Sequence, residues 1–207
     1  MQFKTKALLA SLVLASASNA FAETANLVIK GTITPAACAP TINNSGQLEL
    51  GRISQGRLKP TQTQVLETKS IGYTIACSAP TKIAMKFTDS RATSTAHLNT
   101  FGLGFQGAET KIGSYDIQND STKLLGDGTP VSLLTKKGDG AWIATGGYLT
   151  MPNVEQSWAT TGETTPTAFT NISGALNITP VIEPTNTLDL TEEITIDGLA
   201  TMEIVYL

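Results

Sequence analysis

An all-β fold, a sandwich or barrel of many short strands, is predicted by three observations. Apolar residues recur with period two wherever they gather, clusters of Gly, Asn, Asp and Pro punctuate the intervals, and no convincing 3.6-residue amphipathic run follows the first 22 residues. Charged residues make up only 15% of the chain while Thr, Ser, Gly and Asn abound, a balance that suits strands and turns better than helices.

The first element is not part of the fold. Lys4 and Lys6 precede an apolar run from Ala7 through Ala15, and Ala20-Phe21-Ala22 closes it with a small-x-small cleavage signature. Residues 1–22 therefore read as a secretory signal peptide. The run is too short to span a bilayer, which takes about 20 apolar residues. The remainder, 23–207, has the size of one β domain.

Leu27, Ile29, Gly31 and Ile33 share one face of the first mature segment, with Val28, Lys30 and Thr32 on the other. Leu48 and Leu50 flank Glu49. Ile71, Tyr73, Ile75 and Cys77 alternate with small or polar residues, and Ile83, Met85 and Phe87 follow the same rule. The C-terminal segment is the clearest case, with Ile194, Ile196, Ala200, Met202, Ile204 and Tyr206 on one face. Asn43 to Gly46, Gly126-Asp127-Gly128 and Gly138-Asp139-Gly140 read as turns, since these residues supply unusual backbone angles at low cost.

Without Lys4 and Lys6, 12 basic residues face 17 acidic ones, a net charge of −5 with the single histidine neutral. No cluster of Lys or Arg is present to hold nucleic acid or anionic lipid. The two cysteines, Cys38 and Cys77, both lie in the exported part, where an oxidising compartment favours one disulfide over two free buried thiols. Closing that loop stabilises by about 3 to 4 kcal/mol on the chain-entropy account.

Four features together resemble the pilins of chaperone–usher fimbriae, particularly a divergent fimbrial-like group. They are the opening Leu27-Val28-Ile29-Lys30-Gly31-Thr32-Ile33 before Cys38, the second cysteine ending the strand Ile71 to Cys77, the intervening Leu48-Glu49-Leu50-Gly51, and a final alternating strand with penultimate Tyr206. The resemblance implies an immunoglobulin-like sandwich that lacks its last strand and is completed by donor-strand exchange. It implies a donor strand over 23–33, with Ala25, Leu27, Ile29, Gly31 and Ile33 entering a neighbour's groove. It implies an acceptor edge and chaperone contact along 194–207, carried by Ile196, Ala200, Met202, Ile204 and Tyr206. The partners implied are a periplasmic chaperone, an outer-membrane usher and neighbouring fimbrial subunits, with export through the periplasm to a surface fimbria that serves adhesion. From the residues alone, the alternative is that Leu27, Ile29 and Ile33 form the first strand of a complete, self-contained sandwich.

No catalytic constellation is legible, so an enzyme is not expected. His97 stands in a polar stretch without a nucleophile motif, and one histidine with two oxidised cysteines makes no zinc site. Neither a metal nor a cofactor is expected. Gly102-Leu103-Gly104-Phe105-Gln106-Gly107 matches a dinucleotide fingerprint by letter but opens no helix, and it reads as a strand with glycine gaps. Asp116, Asp120, Asp127 and Asp139 fall among turns. Trp142, Tyr148 and Trp158 are either sandwich core or a glycan- or protein-binding surface, which would make the chain a minor or tip subunit.

Overall fold

A computed structural model describes residues 27, 29, 30, 37–144 and 149–207. The chain divides into two units, Met1–Thr34 and Pro35–Leu207, and the second carries the fold below. The signal peptide, the donor positions Ala25, Gly31 and Ile33, and Tyr148 lie outside the described residues.

Eight strands of five or more residues are present among the described residues: β1 Cys38–Ile42, β2 Lys69–Thr81, β3 Ile83–Asp89, β4 Gly113–Asn119, β5 Thr129–Lys136, β6 Glu155–Thr160, β7 Phe169–Ile182 and β8 Ala200–Tyr206. The remaining regular structure among the described residues is two-residue strands and four 3-10 turns, with no α-helix there. One layer runs β1-β2-β7-β4 and the other β5-β6-β3-β8, every pairing antiparallel. The all-β, immunoglobulin-like class expected from the sequence is the class observed.

Alternation places the core. In β2 the side chains of Tyr73, Ile75 and Cys77 turn inward and are buried, while Thr74 and Ala76 face out. A single residue, Lys82, carries the chain from one layer to the other, where Ile83, Met85 and Phe87 of β3 face the same core. The longest strand, β7, pairs with β2 along one edge and with β4 and Leu125–Gly126 along the other. Cys38 stands directly opposite Cys77 in the β1–β2 ladder, and the two form the expected disulfide.

The turns follow their chemistry. Asp127 and Gly128 both take positive φ, 46° and 82°, the geometry that suits a tight hairpin between Leu125–Gly126 and β5. The Asp127 carboxylate also accepts the backbone N–H groups of Thr170 and Asn171, tying the hairpin to the start of β7. The fingerprint-like glycines prove structural. At Gly102 an added Cβ would lie 2.3 Å from the Arg91 carbonyl, and Gly104 takes φ 95° between the short strands Phe101–Gly102 and Phe105–Gln106.

Inside the sandwich lies one polar brace. The Tyr73 hydroxyl donates to Asn119 Oδ1 at 3.0 Å, and Asn119 Nδ2 donates to Thr150 Oγ1 and Gln156 Oε1 at 3.2 and 3.1 Å. Thr150 donates to Gln156 at 2.7 Å, and all four residues are buried. This network joins β2 and β4 of one layer to β6 of the other, and burial pushes the Tyr73 phenol pKa upward.

Candidate functional site

The functional feature of this sandwich is a strand that lacks a neighbour. β8 pairs with β3 along one edge, Met202 opposite Phe87 and Ile204 opposite Met85. Among the described residues nothing pairs with its other edge. Unpaired N–H and C=O groups on a strand edge are a template for another strand.

Beside that edge, toward the N-terminal end of β8, opens a groove of about 1010 Å³. Its floor is the inner face of the sandwich: Ile71 of β2, Tyr115 and Ile117 of β4, Leu176 and Ile178 of β7, and Phe87 of β3. Phe101 lies under this floor, stacked on Tyr115 with centroids 5.4 Å apart and meeting Phe87 edge-on at 6.5 Å. One wall is Leu48 to Ser54 and the other Leu188 to Ala200, with Glu49, Arg52, Glu192 and Glu193 also lining it.

Both walls alternate without forming ladders. Leu48, Leu50 and Ile53 turn partly inward while Glu49 and Arg52 face out, and on the far side Ile194 and Ile196 turn inward while Thr195 and Asp197 face out. Neither run is strand: the backbone bonds of the far wall are isolated ones, Asp197 N–H to the Leu103 carbonyl and Ser90 N–H to the Leu199 carbonyl. The alternating pattern that predicts a strand over 194–207 therefore yields one only over Ala200–Tyr206. β3 ends at Asp89, opposite Ala200, and just past it the Ser90 N–H reaches the Leu199 carbonyl, leaving 194–198 without a ladder.

Specific clamps hold the far wall in place. Arg91 donates from Nε to Asp197 Oδ2 at 3.1 Å and from Nη2 at 2.5 Å, and the Asp197 N–H donates to the Leu103 carbonyl at 2.9 Å. Gln106 brackets Asp189, accepting its N–H at 2.8 Å and donating to its carbonyl at 2.5 Å. At Gly198 a Cβ would come within 2.9 Å of the Tyr115 ring, so the wall closes onto the floor only because that side chain is absent.

Of the residues expected on the acceptor edge, Ile196 and Ala200 line the groove. Met202 and Ile204 instead pack half-buried against the core on β8, past the open stretch. Tyr206 is 53% exposed, and its hydroxyl accepts the Cys38 N–H at 2.8 Å. This bond ties the start of the sandwich to the end of its last strand. Leu27 and Ile29 are 88% and 87% exposed, an unusual state for large apolar side chains.

Sequence reasoning missed the wall from Leu188 to Glu193 and both clamps. Arg91 and Asp197 are 106 positions apart, and no local pattern signals such a pair. The aromatic residues separate: Trp158 is 1% exposed in the core, and Trp142 lies half-buried with Lys136 Nζ 5.1 Å from its ring centroid. His97 pairs with Glu183 at 2.9 Å on the surface, and no cluster of three metal-ligating side chains occurs among the described residues.

Fold and groove together define an immunoglobulin-like β-sandwich whose last strand, among the described residues, has one unpaired edge beside a groove. Residues 27–130 match the family described as "Protein of unknown function (DUF1120)", and the chain belongs to that family. It is 28% identical to "Uncharacterized protein YhcF" of Escherichia coli (strain K12) over 236 residues, covering 98% of each chain. It is also 28% identical to "Protein GltF" of the same organism over 222 residues, covering 87% of each.

Proposed function

We propose that this chain is a structural subunit of a bacterial surface fimbria, polymerised by exchange of strands between copies or related subunits, and serving adhesion. The observation that carries the reading is the groove floored by both layers beside an unpaired last strand. A groove with an apolar floor next to an open edge invites a strand from outside, whose main chain completes the ladder while alternate side chains meet the floor. A periplasmic chaperone occupies it first and an outer-membrane usher receives the complex, as the pilin resemblance implies.

The Cys38–Tyr206 bond supports a direction of growth. The chain enters the sandwich at the end where β8 finishes, while the groove opens toward the end where β8 begins. A segment preceding Cys38 and a groove opening toward the opposite end make a head-to-tail contact, which propagates as a filament rather than closing.

The test compares thermal unfolding of the oxidised chain from residue 23 onward with the same chain carrying residues 23–35 again after Leu207 through a short flexible linker. A strand fused there enters antiparallel to β8, and the expected result is a monomer with its midpoint raised by tens of degrees. An unchanged midpoint, with the parent chain already stable and monomeric, would mean that the sandwich is complete by itself and would remove the proposal.

A further inference from the structure

We infer that the outer face of the layer β1-β2-β7-β4 is a contact surface for the same face of a second copy, too small to hold two free chains together and suited to chains already held in an array. The contact itself is independent of strand exchange. Its use rests on that reading, which lines copies along a filament.

The ladders define the face. Residues directly opposite one another share a side of the sheet, so Thr41, Thr74 and Ser173 form one outward row and Ser70, Asn177 and Gln118 another. Ala39, Ala76 and Asn171 make a third, and none of the nine is buried. Between the rows the Asn43 carboxamide leans over Gly72, where an added Cβ would lie 2.7 Å from Nδ2, and continues the same chemistry. Across the outward positions of these four strands the only charged side chain is Asp116, on β4.

The other layer is different. Its outer face carries Lys86 with Glu203 at 2.9 Å and Lys136 with Glu155 at 2.8 Å. Ions on a sheet surface resist being covered by another protein, because they must first shed water. The neutral face has no such cost.

Charge and chemistry point to a second copy as the partner. The exported chain carries 12 basic and 17 acidic residues, so copies repel one another where their acidic surfaces meet, and that repulsion is least at the uncharged face. Each hydroxyl and carboxamide is both donor and acceptor, which makes the face complementary to itself. The Thr41 and Thr74 hydroxyls already bond each other at 2.6 Å. Short side chains also lose little freedom when covered.

Area sets the strength. Four strands about 4.8 Å apart, over about seven residues at about 3.3 Å each, cover about 440 Å². Two such faces bury about 900 Å², short of the roughly 1,200 Å² at which stable interfaces begin. Free chains therefore separate. Copies in a row engage many contacts at once, and avidity turns a weak contact into adhesion between filaments.

The experiment uses beads densely coated with the full exported chain, beside beads coated with the chain carrying residues 23–35 after Leu207, in which strand exchange between copies is closed off. Both kinds should clump in low and high salt alike, while the second protein, free in solution, sediments as a monomer. Thr74→Lys with Gln118→Lys should disperse the beads, and so should Thr74→Glu with Gln118→Glu. Mixing lysine beads with glutamate beads should restore clumping in low salt only. Thr201→Lys, on the outer face of the other layer, should leave clumping unchanged. Clumping of the first kind alone would assign adhesion to strand exchange and overturn the face as a contact, as would dispersed beads of both kinds or clumping that survives the lysine pair. The midpoint comparison for strand exchange stands apart from all of these results. Dispersal without rescue in the mixture, or clumping only when a neutral polysaccharide is added, would overturn the second copy as partner. Should the lysine pair lower the thermal midpoint, Ala76→Lys, exposed in the third row, puts the same charge on the face.

Discussion

The segments 71–77 and 194–206 carry equally clear alternation, yet they fold differently. The first lies within a thirteen-residue strand with a ladder on each side. The second becomes a seven-residue strand with one ladder, preceded by 194–199, which alternates in burial only from Ile194 to Asp197 and makes isolated backbone hydrogen bonds, Asp197 N–H to the Leu103 carbonyl and Ser90 N–H to the Leu199 carbonyl. Period two records which side chains face a core. A strand also needs a neighbour, and among the described residues 194–199 has no ladder, so pattern and pairing part company there.

The comparison is sharpest as a pair of substitutions. Ile75→Ala in β2, at a side chain with 0% exposure, should cost about 2 to 5 kcal/mol. Ile196→Ala on the groove wall should cost the isolated chain under about 1 kcal/mol, because its side chain packs on one side only. Denaturant unfolding of both variants measures the difference. Equal costs would mean that the wall is already packed as a core and that no strand position is open.

A middle-sized effect probes the polar brace, where the layers are joined, two residues along β4 from the groove floor at Ile117. Asn119→Ala removes the centre of the buried network and leaves the Tyr73 hydroxyl, Thr150 and Gln156 with fewer partners. The expected loss is about 1 to 3 kcal/mol, read from the denaturation midpoint. Because none of the four braced residues lines the groove, strand insertion by the appended segment should still raise the midpoint of this variant. If it does not, the two sides are coupled and the groove is not an independent feature.

Where the chain is its own partner, the sequence was readable. Tyr73, Ile75, Ile83, Met85 and Phe87 point where period two puts them, Asp127-Gly128 makes its turn, and Cys38 meets Cys77 across a ladder. Three things were not readable. Asn119, Thr150 and Gln156 have the composition of a loop, and only their convergence from three segments makes them a core network. The Arg91–Asp197 and Gln106–Asp189 clamps join positions 106 and 83 residues apart. The extent of the last strand was overestimated because alternation carries no information about hydrogen-bonding partners.

The smallest expected effect separates the two edges of β8. On the paired edge Glu203 faces Lys86, with Nζ 2.9 Å from Oε2, and Thr88 donates its hydroxyl to Oε1 at 2.9 Å. Those donors, Lys86 before Thr88, hold the Glu203 carboxyl below its ordinary pKa. A carboxyl lowered by folding adds stability that is present above the ordinary glutamate value and lost as pH falls through the lowered one. Glu203→Gln should therefore lower the midpoint slightly at neutral pH, less so in high salt, and the gap to the parent should close in acid. A gap that persists at low pH would assign the loss to packing instead. Since Glu203 acts on the β3 side, appending residues 23–35 after Leu207 should raise the midpoint of this variant as much as that of the parent, whereas an edge whose two sides were interdependent would lose both together.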